Sequence, residues 1–385
     1  MDFQLTDEQQ LMIESVKEYC EQYFSEEQVR EYYANHEIPV EVTKAWVDAG
    51  FGLLGIPEEY GGIPADKLTI GLVLEAAYYY SAATVPFINN SVAMFDIVEF
   101  GNEEQIKMSV DAYLNTGRPP FSLAISEPEA GSDNMNMSTV SVKQPDGTYR
   151  INGTKTFVTQ GDTFPYVLVL AKDEDPSREN KAVSMWLVPK DAPGISLSPL
   201  HKIGQEILSF CEMYFDDVVV TEDMRVGEPG KAFVNLMKGL EMERAFVSTW
   251  SLGLAQAAMD DAAAFASQRI TFGKPIGNYQ LVQERLCNME TKLEAVRTWT
   301  YRTLWEMDNG ISVRTSSALL KRFAVTSCFE VADDAMQILG GVGYTTDVRV
   351  SRLWRDCRGN RFGGGADDIM VHIAGRQLVK QYAAK

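Results

Sequence analysis

The chain changes from a helical to a β pattern at one stretch, Ala124-Ile125-Ser126-Glu127-Pro128-Glu129-Ala130-Gly131-Ser132-Asp133. Well before it, Thr6 and Gln9 fit a capping box that opens a helix. That helix carries one apolar stripe at spacings of four and three, formed by Met12, Val16, Tyr19 and Tyr23. Residues 1–120 are therefore predicted to form an N-terminal helical domain.

The next region, residues 121–230, has the pattern of short strands separated by turns. Runs rich in β-branched residues lie at 139–142, 156–158, 166–170, 183–188 and 213–220. Turn-forming residues separate them at Pro145-Asp146-Gly147, Asn152-Gly153 and Asp191-Ala192-Pro193-Gly194. This spacing predicts an antiparallel middle β domain, either a barrel or a sandwich.

The last region, residues 231–385, returns to a helical pattern. An alanine-rich segment at 253–265 suits close helix packing, and long helical patterns cover 280–301 and 316–339. The order of helices, then strands, then helices predicts an α+β chain of three domains.

The composition excludes several classes of function. The formal charge is −19, which disfavours nucleic acid and anionic membranes as partners. Five scattered cysteines and three distant histidines predict neither a disulfide framework nor a metal site. We find no basic segment followed by an apolar run at the N-terminus, and no 18-residue apolar window, so the expected location is the cytosol.

Two motifs of the middle region carry hydroxyls and glycine close together. In the first, Ser126 and Ser132 supply hydroxyls, and Gly131 permits a close backbone approach to a ligand. The second follows about 20 residues later as Asn152-Gly153-Thr154-Lys155-Thr156-Phe157-Val158-Thr159-Gln160-Gly161. Taken separately, each motif is also compatible with a polar turn or an ordinary hairpin.

Two further motifs lie in the C-terminal region. They are Gln268-Arg269-Ile270-Thr271-Phe272-Gly273-Lys274-Pro275, with Gln280 eight residues after Phe272, and Gln337-Ile338-Leu339-Gly340-Gly341-Val342-Gly343-Tyr344. The guanidinium of Arg269 suits a diphosphate, and Gly340 and Gly341 allow backbone contact with a phosphate. The alternatives are a solvated cation at a helix end and a helix C-cap followed by a turn.

Together the four motifs resemble those of the acyl-CoA dehydrogenases, and the resemblance covers nearly the whole chain. It implies the fold of that family, with a C-terminal four-helix bundle, an FAD cofactor, and a homotetramer in which one subunit reaches a neighbour's FAD. It also implies a set of FAD-binding residues: Ser126, Gly131, Ser132, Phe157, Thr159, Arg269, Phe272, Gln280, Gln337, Gly340, Gly341, Ala366 and Asp368. Phe157 stands where the family usually has tryptophan, so its ring still packs but donates no hydrogen bond.

The chain differs from the family's usual pattern at Arg361-Phe362-Gly363-Gly364-Gly365-Ala366-Asp367-Asp368. Counted from Arg355-Asp356, the position of the family's catalytic glutamate is Gly364, which cannot transfer a proton. In the isovaleryl-type and long-chain branches the base precedes an arginine on the helix beside acyl-CoA, and the matching residue here is Glu243. The alternative for Glu243 is a surface carboxylate.

The same helix implies substrate contacts for Glu241 and Arg244, and Ser132 is expected to contact the substrate as well. Within the family, the Gly-Gly turn and the Glu-Arg pair are similar to the crotonobetainyl-CoA reductase branch. This likeness implies reduction of a 2-enoyl-CoA with electrons from an electron-transferring flavoprotein. The alternatives are a dehydrogenase or reductase of another short or aromatic acyl-CoA, and a catalytically silent scaffold that holds FAD.

The acyl group itself has one further candidate determinant. An aromatic cluster, Tyr78, Tyr79, Tyr80 and Phe87, could meet a trimethylammonium group by cation–π contact. The alternative interpretation of this cluster is helix core.

Overall fold

A computed structural model describes residues 4–174 and 182–383 of the chain. Its first region contains the helices α1 (Asp7–Tyr23), α2 (Glu26–Asn35), α3 (Val40–Asp48), α4 (Lys67–Ser81), α5 (Phe87–Phe100) and α6 (Glu103–Thr116). The Thr6–Gln9 capping box forms as predicted. Val16 and Tyr19 of the apolar stripe are buried in the core. The N-terminal helical region is therefore confirmed.

The second region contains the strands β1 (Phe121–Ala124), β2 (Val140–Lys143), β3 (Tyr149–Thr159), β4 (Tyr166–Glu174), β5 (Val183–Pro189), β6 (Ile195–Pro199), β7 (Phe210–Val220) and β8 (Arg225–Val226). In the described residues they form one sheet in the order β6-β7-β3-β2-β4-β5-β8, with β1 also paired to β4. The β region is confirmed, but the sheet is not purely antiparallel, because β1 and β2 both run parallel to β4. The connection between β1 and β2 does not reverse the chain, so the two strands follow one another along β4.

Asn152-Gly153 is not a turn, contrary to the sequence prediction. β3 runs through both residues and shifts its register against β7 between Ile151 and Gly153. The φ of Gly153 is 151°, and a Cβ there would lie 2.4 Å from Thr139 Oγ1. The pair therefore lies inside a strand rather than in a hairpin turn. The extra residue of the bulge belongs to β7, which passes from Val218 to Phe215 opposite this step.

The third region contains the helices α7 (Ala232–Gln268), α8 (Gln280–Asp308), α9 (Arg314–Leu339), α10 (Val350–Gly359) and α11 (Asp367–Ala383). A small ribbon, β9 (Ile270–Thr271) and β10 (Lys274–Pro275), connects α7 to α8. α9 packs against α7, α8, α10 and α11. The described part of this region therefore has one helix, α10, in addition to the expected four-helix bundle.

Close packing joins the N-terminal and C-terminal helices across α4 and α7. A Cβ at Gly253 of α7 would lie 2.6 Å from the Glu75 carbonyl oxygen of α4, so only glycine permits this approach. None of the helices within residues 4–174 and 182–383 is both long and apolar enough to span a membrane.

Candidate active site

A buried ion pair joins the two motifs of the β region. Lys155 Nζ donates to Glu127 Oε1 at 2.9 Å and to the Ile125 carbonyl at 3.0 Å. The Lys155 side chain is 0% exposed and that of Glu127 is 2% exposed. The Ser126 carbonyl also accepts the Thr156 N–H at 2.8 Å. The stretch that follows β1 is therefore fixed against the middle of β3.

Further hydrogen bonds keep Glu127 ionised. Its carboxylate accepts the N–H groups of Ser138 at 2.5 Å and Thr139 at 2.9 Å. Burial alone would raise its pKa, but these hydrogen bonds and Lys155 lower the pKa of Glu127 to about 2. Neither Glu127 nor Lys155 was assigned a role from the sequence. The second motif held a signal, since Lys155 is the one charged residue among its ten.

Two exposed or partly exposed aromatic rings lie on β3 and β7, later in the chain than the Glu127–Lys155 pair. Phe157 has a φ of 59° and a side chain that is 60% exposed, and its ring stacks on Phe210 with centroids 5.8 Å apart. Thr159 is half-buried and lies opposite Phe210 in the sheet. Gly131 and Ser132 are exposed, and a Cβ at Gly131 would meet no atom within 4 Å. Two of the residues predicted to border the flavin are therefore accessible to a ligand: the exposed ring of Phe157 and the uncovered backbone of Gly131.

The motifs of the C-terminal region lie at helix ends. Arg269 follows α7 and is exposed, and its side chain has no hydrogen-bond or ion-pair partner within the described ranges. Phe272 is 93% exposed, with a φ of 52°. Gln280 begins α8 and Gln337 lies in the last turn of α9; both are exposed.

Gly340 is the C-cap of α9. This agrees with the alternative interpretation of the motif, a helix C-cap followed by a turn. A Cβ at Gly340 or Gly341 would meet no atom within 4 Å, so the space that a phosphate needs is present too. Within the part of the chain that the structure describes, no hydrogen bond or ring contact joins these helix-end residues to Ser126 or Phe157.

Glu243 lies on α7 against the Gly364 turn. A Cβ built at Gly364 would lie 3.8 Å from Glu243 Oε1. Glu243 is half-buried, and desolvation raises its pKa, while the charges of Arg244 and Lys321 oppose this rise. The space that a side chain at residue 364 would enter thus borders the carboxylate of Glu243, which α7 supplies.

Lys321, a buried cation, holds the Gly364 turn in place through hydrogen bonds to its backbone. Lys321 of α9 donates to the Gly365 carbonyl at 2.6 Å and the Arg361 carbonyl at 3.1 Å, and pairs with Asp367 Oδ1 at 3.3 Å. Burial lowers the pKa of Lys321 to about 8, although Asp367 opposes this change. Ala366 is half-buried in the same segment, and Asp368 is exposed in the first turn of α11.

Arg244 connects the Gly364 turn to the residues expected to contact CoA. It is buried, and its Nε donates to the Gly364 carbonyl at 3.3 Å. Burial lowers the pKa of Arg244, with Glu243 and Glu241 opposing. Glu241 is half-buried, and burial raises its pKa against the charges of Arg244 and Arg314.

Asp356, the aspartate of the Arg355-Asp356 pair, is fully buried and contacts distant parts of the chain. Its carboxylate accepts hydrogen bonds from Tyr33, from Thr84 Oγ1 at 2.7 Å and from Gln205 N at 2.5 Å. It therefore joins the N-terminal helices, the β region and α10. No local pattern announces these partners, because each lies more than 150 residues away in sequence.

The aromatic cluster of α4 and α5 is helix core. Tyr78 and Phe87 are both 0% exposed; Tyr78 stacks on Trp250 and Phe87 on Trp46. Tyr79 is half-buried and donates to Asp260 at 2.6 Å. Of the two interpretations of this cluster, Tyr78 and Phe87 therefore follow the helix-core one.

Comparison with known proteins now gives the family. Sequence models of the acyl-CoA dehydrogenase N-terminal, middle and C-terminal domains match residues 6–114, 122–218 and 231–379. The chain is 45% identical over 385 residues, all of both chains, to the probable acyl-CoA dehydrogenase YdiO of Escherichia coli (strain K12). The chain belongs to the acyl-CoA dehydrogenase family.

Solved structures agree in fold. An acyl-CoA dehydrogenase from Slackia heliotrinireducens is 37% identical with a TM-score of 0.90, and all of both chains is covered. The butyryl-CoA dehydrogenase of Megasphaera elsdenii is 29% identical with a TM-score of 0.90, covering 98% of this chain and 100% of that chain. The protein is thus an oxidoreductase flavoenzyme of the acyl-CoA dehydrogenase type that acts on acyl-CoA.

Members of this family bind FAD, and the residues of this chain fit that cofactor. Phe157 presents an exposed ring, and Arg269 is a cation without a partner among the described residues. Gly131, Gly340 and Gly341 leave open space where a side chain would otherwise lie. A planar ring system, a diphosphate and backbone approaches are what these features accommodate.

Proposed function

We propose that the protein reduces the Cα–Cβ double bond of a 2-enoyl-CoA of the crotonobetainyl-CoA type, with Glu243 as the proton donor. The observation that carries this proposal is the position of the Glu243 carboxylate, 3.8 Å from where a Cβ of residue 364 would lie. The family's usual glutamate is absent from residue 364, and Glu243 offers a carboxylate at the same place.

Proton transfer is the chemistry that this chain supplies. FAD, when bound, exchanges a hydride equivalent with the substrate Cβ. Glu243 then delivers a proton to Cα during reduction, and removes that proton when the reaction runs as dehydrogenation. A half-buried carboxyl group with a raised pKa suits both roles near neutral pH.

The remaining residues bind and orient. In the proposal the flavin lies beside Ser126, Gly131, Ser132, Phe157 and Thr159, with Ala366 and Asp368 nearby. Arg269, Phe272, Gln280, Gln337, Gly340 and Gly341 hold the diphosphate and adenosine of a neighbouring subunit's FAD. Ser132, Glu241 and Arg244 contact the acyl-CoA.

A homotetramer and an electron-transferring flavoprotein complete the proposal. Assembly is supported by apolar side chains exposed near the helix ends of the C-terminal region, which a neighbouring subunit would cover: Ile270, Phe272, Leu281 and Tyr344. The resemblance to the crotonobetainyl-CoA reductase branch supports the flavoprotein as electron donor, and the sequence pattern supports a cytoplasmic location.

A second candidate is a dehydrogenase or reductase of another short or aromatic acyl-CoA, with Glu243 as base. The same carboxylate supports it, and one structural relative is a butyryl-CoA dehydrogenase.

The test is a substrate screen on purified, FAD-loaded protein. Crotonobetainyl-, crotonyl-, acryloyl- and cinnamoyl-CoA are each supplied with reduced dye as electron donor, and the flavin spectrum is followed. Turnover fastest with crotonobetainyl-CoA supports the first candidate, and preference for another thioester supports the second. A flavin that no thioester oxidises or reduces would leave the scaffold interpretation and contradict both.

A further inference from the structure

A second carboxylate, Asp96 of α5, lies beside the proposed proton-transfer group. α5 packs against α7, and the Asp96 carboxylate faces Gly239. A Cβ at Gly239 would lie 2.5 Å from Asp96 Oδ1 and 3.2 Å from its Cγ. Only a residue without a side chain at 239 therefore lets the Asp96 carboxylate rest on this face of α7.

Helix geometry brings Glu243 to the same place. Gly239 and Glu243 are four residues apart, so they lie on one face of α7, with Cβ positions about 5–6 Å apart. A helical side chain leans toward the N-terminus of its helix and covers the preceding turn. The Glu243 side chain thus extends toward Gly239, where the Asp96 carboxylate lies.

Among the described residues, neither carboxylate is neutralised by a direct contact. Neither Asp96 nor Glu243 forms a hydrogen bond or an ion pair within residues 4–174 and 182–383, and both are half-buried. Burial raises the pKa of Asp96 to about 7, with the charges of Glu243 and Glu99 adding to the rise. An anion at either residue disfavours ionisation of the other, so the titration of one carboxylate depends on the other.

Other charged groups face this pair from each neighbouring helix. Glu99 of α5 pairs at 3.6 Å with Lys238 of α7, both largely exposed. The others are Glu241 and Arg244 on α7, Arg314 and Lys321 on α9, and Asp367 at the start of α11. The charges of Arg244 and Lys321 favour the ionised form of Glu243. Asp96 has no cation paired with it in the described chain.

We infer that Asp96 is a positioning residue that shares one proton with Glu243, and so sets the protonation state of the group that acts on the substrate. The inference rests on the proposed role of Glu243. Asp96 keeps Glu243 protonated to higher pH, because an anion at residue 96 disfavours a second anion at residue 243. Its half-buried carboxyl group also provides a local proton store for the next turnover.

The experiment measures enoyl-CoA reduction against pH in the FAD-loaded protein. Asp96→Asn keeps the shape of the side chain but removes its charge. We expect the alkaline limb of the pH–rate profile to move to lower pH by about one unit, which means about tenfold slower reduction above that limb. The rate on the acid plateau should stay within about threefold, since Glu243 remains in place. Asp111→Asn on α6, an exposed carboxylate, is the matched control and should leave the profile unmoved.

Two further measurements test the sharing of a proton between Asp96 and Glu243. Gly239→Ala places a methyl group against Asp96 Oδ1, so it should move the limb in the same direction without removing a charge. Infrared difference titration without substrate should show two coupled carboxyl steps in the parent and a single step in Asp96→Asn. Superimposable profiles and titrations of parent and Asp96→Asn would overturn the inference.

Glu243→Gln separates this inference from the proposed function. If Glu243→Gln is inactive while Asp96→Asn matches the parent at every pH, proton sharing is wrong and the proposed function survives. If Glu243→Gln reduces the substrate at the parent rate, the proposed function fails, and the inference fails with it.

Discussion

Glu243 Oε1 lies 3.8 Å from the position that a Cβ of residue 364 would occupy, although the two residues come from different segments of the chain. Arg244, the next residue along α7, donates to the Gly364 carbonyl at 3.3 Å and fixes this arrangement. In the proposed function, a carboxylate from residue 243 or from residue 364 therefore serves the same substrate carbon.

Glu243→Gln should abolish proton transfer without loss of FAD. Glutamine keeps the shape of the side chain but cannot exchange a proton at the substrate carbon. Flavin oxidation or reduction by the thioester should slow by about 10²–10⁴-fold, the usual contribution of a positioned acid or base. Stopped-flow absorbance of the flavin measures the rate, and acyl-CoA titration checks that binding persists. A rate close to that of the parent would direct attention to Asp367 or a bound water.

Gly364→Glu, combined with Glu243→Gln, should restore part of the lost rate. The new side chain would enter space that lies 3.8 Å from the residue-243 side chain, so no large clash is expected. The φ of Gly364 is 63°, however, and a left-handed residue with a Cβ costs about 1–2 kcal/mol. Recovery should therefore be incomplete and accompanied by a lower melting temperature.

The matched control for that double variant is Gly364→Ala with Glu243→Gln. It carries the same backbone strain but no carboxylate. Equal rates for the alanine and glutamate versions would show that residue 364 does not reach the reacting carbon.

Arg269→Ala should weaken FAD retention more than it changes folding. The guanidinium is exposed and has no partner in the ranges that the structure describes, so its loss disrupts no internal contact. A charge-assisted contact with a diphosphate contributes about 1.5–3 kcal/mol, which corresponds to roughly 10- to 150-fold in affinity. Equilibrium dialysis measures FAD affinity. Arg322→Ala, an exposed arginine on α9, is the control, and equal affinities for the two variants would remove Arg269 from the site.

Several helices followed from local sequence, α1 from its capping box and apolar stripe and α8 and α9 from their helical patterns. Thr6 and Gln9 predicted the start of α1, and residues 280–301 and 316–339 lie within α8 and α9. The strand conformation of Asn152-Gly153 did not follow. Asn-Gly is a strong turn signal, but pairing with β7 on both sides keeps this segment in one strand.

The site residues divide in the same way. Glu243 was expected from its place before Arg244, and the structure adds that its carboxylate lies against Gly364. Asp96 was not expected, because it belongs to no motif and becomes relevant only when α5 packs on Gly239. Contacts made by distant segments leave no periodic signal in the chain, so they require the folded structure.

Lys155→Met should destabilise the β region, since it leaves Glu127 ionised and buried without its cation. Breaking a buried pair from one side costs about 3–5 kcal/mol, and the N–H groups of Ser138 and Thr139 should keep the loss near the lower value. Glu127→Gln combined with Lys155→Met should recover part of the stability, because no buried charge remains. The stability that Glu127 contributes depends on pH, because its pKa falls from 4.5 to about 2 on folding. This contribution is complete above pH 4.5 and is lost as the pH drops through 2. Urea unfolding at pH 7 and pH 3 measures these effects. A Lys155→Met variant within about 1 kcal/mol of the parent at pH 7 would mean that the Glu127–Lys155 pair does not hold the two motifs together.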